Sequence, residues 1–150
     1  MYSCADNSSK NLNYYENGNV KKLVVITNTE KIEYSFYENG QIQTIRRFNS
    51  NGLLSGEQLW FYPNGMLDQK MLYLNNKKDG NGYFFYDTTG ALKHFRFFRN
   101  GKETLFGSDY WGDSMDLMKS SLHFNDSGQI FYKKNFDKNG KFVSEEGKRE

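Results

Sequence analysis

Few side chains in this sequence are of a type and spacing that could do chemistry. Two histidines, His94 and His123, are the natural candidates for a general base. A base of that kind needs a Ser, Cys or Asp partner within hydrogen-bond reach, and local spacing supplies none for either. Asp109, Asp113 and Asp116 would offer oxygens to a hard cation, but their spacing matches no calcium loop. Glu57 and Glu103 are too isolated to act as a glycosidase-type pair. No Gly-rich loop leads into a helix to cradle a phosphate. A single cysteine, Cys4, excludes an internal disulfide and any cysteine-based zinc site. The expectation is a protein that is not an enzyme, with no cofactor and no metal.

Cys4 admits two readings. It is an unpaired thiol near the chain start, or it is the lipidated first residue of a mature bacterial lipoprotein, which requires that Met1 not be the natural start. Ser3 before it and the polar run Ala5-Asp6-Asn7-Ser8-Ser9-Lys10 after it fit a cleavage site and tether. The compartment is accordingly the bacterial cytoplasm, or the envelope if Cys4 is lipidated.

The elements that must position these residues are legible from composition and repetition. Only 37% of residues are hydrophobic, yet 17% are Phe, Trp or Tyr, a balance that suits a thin sheet better than a thick aliphatic core. The net charge of +2 exerts no global pull toward nucleic acid or anionic membrane. No stretch approaches the roughly eighteen apolar residues of a membrane span.

Five segments align on a glycine: Gly18, Gly40, Gly65, Gly90 and Gly128. Four residues earlier stand Tyr14, Phe36, Phe61, Tyr86 and Phe124; two later stand Val20, Ile42, Leu67, Leu92 and Ile130; eight later stand Ile26, Phe48, Tyr73, Phe98 and Phe136. The Asn-Gly pairs supply the positive φ of tight hairpin turns. In a regular strand the +2 and +8 residues share a face. Second turns follow at Asn51-Gly52, Asn76-Lys77-Lys78-Asp79-Gly80, Asn100-Gly101 and Asn139-Gly140. The expected fold is all-β: an elongated antiparallel meander of stacked hairpins forming an open, twisted single sheet. Residues 1–13 read as a flexible tether, and residues 14–150 as the repeat domain.

Gly56-Glu57-Gln58-Leu59-Trp60-Phe61-Tyr62-Pro63-Asn64-Gly65 resembles the core of the MORN-repeat variant, and Lys77-Lys78-Asp79-Gly80-Asn81-Gly82-Tyr83-Phe84-Phe85-Tyr86 is similar to an ordinary MORN unit. The resemblance implies β-hairpins stacked into an open sheet, no catalysis, and a role in scaffolding, lipid binding or, for the variant, in bacterial antitoxin-like proteins.

The last glycine spacing, 38 residues, exceeds the usual 25 by thirteen, which reads as a non-repeat insertion at about 103–121. Its Phe106, Tyr110, Trp111 and Met115 are the expected partner-binding anchors. The plainer alternative is that its Trp and Met side chains plug the open end of the sheet. Asp113-Ser114-Met115-Asp116-Leu117-Met118 suits one short helical turn. A basic set, Arg46, Arg47, Lys70, Lys93, Arg96, Arg99, Lys133 and Lys134, recurs on successive second strands. It reads as edge protection, or as a stripe for phosphoinositide or nucleic acid. The leading functional expectation is a protein-binding module of antitoxin or immunity type. The alternatives are a lipid-anchored envelope scaffold and an anion-binding surface; nucleic acid is not favoured, and open edges allow an edge-mediated homodimer.

Overall fold

The structure is a computed structural model that describes residues 8–112 and 117–147. All twelve strands belong to one antiparallel sheet and follow chain order without a crossover. They are β1 (Ser9–Tyr14), β2 (Val20–Ile26), β3 (Glu30–Phe36), β4 (Ile42–Asn49), β5 (Gly56–Phe61), β6 (Leu67–Leu74), β7 (Lys77–Phe85), β8 (Leu92–Arg99), β9 (Lys102–Tyr110), β10 (Met118–Phe124), β11 (Ile130–Phe136) and β12 (Phe142–Gly147). The sheet does not close: β1 and β12 each pair on one side only. Every element is local in sequence because a connection of two to seven residues is all that an antiparallel neighbour requires.

The glycine-centred turns are type I turns followed by a left-handed glycine. Gly18 N–H donates to the Tyr15 carbonyl at 3.0 Å, and Gly18 stands at φ 85°. Asn17, Asn39 and Asn64 do not adopt positive φ, so asparagine has a different task from the one its dipeptide suggests. Its Oδ1 accepts from the N–H after the glycine, and its Nδ2 reaches the next repeat: Asn39 donates to the Pro63 carbonyl and Asn64 to that of Asp87, both at 2.9 Å. The two-residue turns with positive φ at both positions are Asn75-Asn76 and Asn100-Gly101, so Lys77–Gly80 already belong to β7.

A second ladder runs beside the first. The hydroxyls of Tyr15, Tyr37, Tyr62 and Tyr86 donate to the carbonyls of Phe36, Phe61, Phe85 and Tyr110 at 2.7, 2.7, 2.9 and 3.1 Å. Burial, with the nearby charge of Asp68, pushes the Tyr62 phenol up to about 12, so it stays a donor at physiological pH. Tyr86 therefore matches Tyr62 and not Phe61; its turn carries one more residue, closing from Gly90 N–H to the Tyr86 carbonyl.

Each of these hairpins shifts register just before its aromatic residue, as at Ser35/Phe36 and Trp60/Phe61. The bulge overturns the shared face expected for the +2 and +8 residues. Ile42 pairs with Phe36 while Phe48 pairs with Lys31, and positions 31 and 36 lie on opposite faces of β3. The thirteen extra residues before Gly128 amount to one further strand, so the phase inverts. The Gly128 turn joins β10 to β11 and lies on the other edge from the Gly18, Gly40, Gly65 and Gly90 turns.

Most of the small core lies on one face. Phe48, Met71, Phe98, Leu122 and Phe124 are buried there, along with Gln58, and Tyr132 is buried on the other. Two glycines make room for this core. A Cβ at Gly82 would stand 2.8 Å from Met71 Sδ and 2.9 Å from Phe98 Cε2, and one at Gly107 would stand 3.1 Å from Phe124 Cε2.

Candidate functional site

Cross-strand partners in an antiparallel sheet project to the same face, so the register lists each face directly. One row crosses the sheet as Leu12, Leu23, Tyr34, Ile45, Leu59, Lys70, Tyr83 and Phe95. It continues as Ser108, Ser121, Lys134 and Glu145. Seven of its first eight members are aliphatic or aromatic. The row one residue away points to the opposite face and is mostly polar: Asn13, Lys22, Ser35, Thr44, Trp60, Gln69, Phe84, His94, Asp109 and Ser120.

Most buried residues share the face of the polar row, since Gln58, Met71 and Phe98 sit an odd number of positions from Leu59, Lys70 and Phe95; Ser108 and Tyr132, toward the β12 end, are buried on the other face. Over β1–β8 the apolar row therefore lies on the side without the core, and only neighbouring side chains shield it. Along it, Phe95 meets Tyr83 at 5.3 Å and Phe106 at 5.6 Å between ring centroids, and Phe106 stacks on Phe97 at 13°. Beside the row lies an open hollow of about 450 Å³ lined by Glu57, Lys70, Leu72, Asn81, Tyr83 and Phe85. Glu57 and Lys70 form a 2.6 Å ion pair at its edge.

The residues expected to anchor a partner fall in different places. Phe106 stands within β9, not in a loop, and is half exposed on the apolar face. Tyr110 ends the same strand, paired with Met118, and its carbonyl receives the Tyr86 hydroxyl. Trp111 lies beyond β9 under Lys119 and Lys138, whose Nζ atoms stand 5.0 and 5.7 Å from its ring. Met115 and the possible lipidation residue Cys4 lie outside the described residues. The segment read as an insertion is largely strand, with residues 103–110 in β9 and 118–121 in β10; β1 likewise begins at Ser9, inside the segment read as a tether.

His94 does have a partner, one that local spacing hid. Its Nδ1 is 2.8 Å from Asp109 Oδ1, which also receives Arg96 at 2.6 Å, while Ser120 Oγ donates to Asp109 Oδ2 at 2.8 Å. The four residues come from three adjacent strands. A nucleophilic serine must be hydrogen-bonded to its base; this hydroxyl is bonded to the carboxylate instead and is buried. The geometry is that of a strand-joining node. Among the described residues, no group of His, Cys, Asp or Glu is placed to hold a metal.

Burial is the largest influence on Asp109 and opposes its ionisation. The hydrogen bonds from Arg96, His94 and Ser120, with the Arg96 charge, outweigh it and hold the carboxyl below its ordinary value. A depressed folded pKa stabilises above the unfolded value, about 3.9, and that gain is lost as pH falls through the folded pKa. Asp109→Asn should therefore lower the urea midpoint at pH 7, and the gap from the wild type should narrow below about pH 4. A gap of constant size from pH 7 to pH 3 would show that the charge of Asp109 is not what stabilises.

The basic set does not form a stripe. Arg46 and Arg47 are adjacent and so point to opposite faces, as do Lys133 and Lys134. Several members are matched by carboxylates: Arg47 with Glu30 at 3.4 Å, Lys70 with Glu57, and Arg96 with Asp109. Lys133 and Lys134 lie across from Glu146 and Glu145 in the register.

In comparison with known families, the MORN repeat variant matches residues 29–50 and 54–75. These are the β3–β4 and β5–β6 hairpins, each closed by a type I turn with a left-handed glycine. No curated protein matches the chain. Among the described residues, no helix is long and apolar enough to cross a membrane.

Proposed function

We propose, from the premise that this chain carries MORN repeats of the variant type, that it is a protein-binding module whose working surface is the apolar face of the sheet. Repeats of this family are binding and structural modules. The observation that supports a protein partner is the row from Leu12 to Phe95, which spans eight strands, or roughly 34 Å at the usual strand spacing. Contiguous apolar surface on this scale marks a site of association. Phe106 extends the row, and the Glu57–Lys70 pair supplies a polar element for register.

An antitoxin or immunity-type role, in which the sheet neutralises its partner by occlusion, is the finer form of this reading and follows the family resemblance. Envelope anchoring rests on Cys4 alone, and mass spectrometry for an acylated Cys4 tests it.

The test is affinity capture by the wild type beside a Tyr34→Ser/Leu59→Ser/Phe95→Ser variant that keeps the β-sheet circular dichroism spectrum. All three residues are part-exposed, so the sheet should persist while a stoichiometric protein partner is lost. Equal capture by both proteins would exclude this face as the binding surface.

A further inference from the structure

Beyond the Leu12–Phe95 row, Trp111 just after β9, Lys119 of β10 and the β11–β12 connection surround an open cavity of about 400 Å³. We infer that this cavity is a binding site for a small organic anion with a flat apolar body, of the aryl carboxylate type. The volume is that of a small-ligand site and much smaller than a protein interface.

The walls set the apolar half of the ligand. Trp111, Phe136 and Val143 line the cavity, and Val143 is 61% exposed, so the apolar lining is open to entry. An aromatic body entering there gains contact with the rings of Trp111 and Phe136.

Two cations set the charged half. Lys119, in β10, and Lys138, in the β11–β12 connection, bring both ammonium groups within 6 Å of the Trp111 ring, at 5.0 and 5.7 Å. Among the described residues neither forms an ion pair. Two like charges gathered at one ring repel each other, and a bound anion relieves that repulsion while keeping both cation–π contacts. Asp137, the one carboxylate in the lining, is committed elsewhere: its Oδ1 accepts from the N–H groups of Asn139 at 2.8 Å and Lys141 at 3.0 Å.

The indole itself is a further sign. Trp111 Nε1 is buried and has no hydrogen-bond partner among the described residues. Buried donors are nearly always satisfied, and an exception calls for a functional account. The Trp111 ring lines the cavity, so a ligand seated there lies against this indole.

The probe is 2-naphthoate, titrated into the full chain and followed by the Trp111 indole N–H resonance in ¹⁵N–¹H NMR. The chain has two tryptophans, and a Trp60→Phe spectrum assigns the peaks. Saturable movement of the Trp111 resonance is expected. The neutral isostere 2-naphthamide and acetate, which lacks the body, should each bind at least about tenfold more weakly. In Lys119→Gln/Lys138→Gln, whose spectrum should otherwise match the wild type, naphthoate should weaken by a similar factor. No saturable shift at millimolar naphthoate, equal binding of the amide, or unchanged binding by the double variant would each overturn the assignment. None of these outcomes bears on the row from Leu12 to Phe95, which lies on β1–β8.

Discussion

Gln58→Leu is expected to lower the unfolding free energy by about 1–3 kcal/mol, although leucine matches glutamine in size and prefers burial. Gln58 is fully buried because it completes the sheet where two strands part. β4 and β5 pair directly at Thr44 with Trp60 and at Ile45 with Leu59, then rejoin at the single bridge of Phe48 and Leu54. Between these points one backbone bond remains, from Ser55 N–H to the Arg47 carbonyl at 3.1 Å, and the side-chain amide supplies the rest. Its Oε1 accepts from Arg47 N–H at 2.9 Å, and its Nε2 donates to the carbonyls of Arg47 at 3.0 Å and of Ser55 and Gly56 at 3.3 Å. Leucine would strand the Arg47 N–H, at a cost of about 1–3 kcal/mol, while the Arg47 carbonyl keeps the Ser55 N–H. Amide exchange gives the residue-level check, since the Arg47 N–H should lose its protection in the variant. A variant within about 0.5 kcal/mol of wild type, with Arg47 still protected, would mean that water takes over the role of the amide.

The second large effect concerns the one fully packed point of the core. Met71 is 1% exposed and lies across Gly82, and Met71→Ala should cost about 2–5 kcal/mol in urea denaturation. Gly82→Ala should cost about 1–3 kcal/mol by overpacking, because the added methyl meets Met71 Sδ and Cε and Phe98 Cε2 inside 3 Å. Gly82 is not at positive φ, so the penalty is steric and not conformational. The two changes should therefore couple. With Met71 truncated, only the Phe98 contact remains, and Gly82→Ala should cost at least about 1 kcal/mol less than in the wild type. Additive costs would show that the sheet moves away from the methyl instead of clashing with it.

The fold was legible because repetition is a long-range signal carried by local residues. Asn-Gly turns recurring every 22 to 25 residues, with aromatics at fixed offsets, leave little besides a meander of hairpins. Face assignment was not legible. A bulge is one extra residue at a point where the sequence shows only a polar side chain such as Gln43 or Lys93, and it reverses every parity argument made across it. The added strand at β9 was read as a loop for a related reason. Its Gly107 and Ser108 break the apolar alternation, yet Gly107 is where Arg96 and Phe124 pass across the sheet. Gln58 and the Tyr15, Tyr37 and Tyr62 ladder were missed because their partners are backbone carbonyls, which leave no mark in a sequence.

The candidate site followed the same division. Phe106 was recognisable as an exposed aromatic, but the row it extends appears only when the register sets Leu23, Tyr34, Ile45 and Leu59 side by side. His94 and Asp109 are fifteen residues apart, and only the β8–β9 pairing brings them together.

The central claim is that one face of this sheet is a protein-binding surface and the other is not. Neighbouring residues of β4 test it directly, because Ile45 lies in the apolar row and Thr44, one residue earlier, points to the other side. A photo-crosslinking amino acid placed at each position in turn, in the source cells, should give a discrete adduct from position 45 and none from position 44. Equal adducts from both positions, or adducts from position 44 alone, would contradict the account.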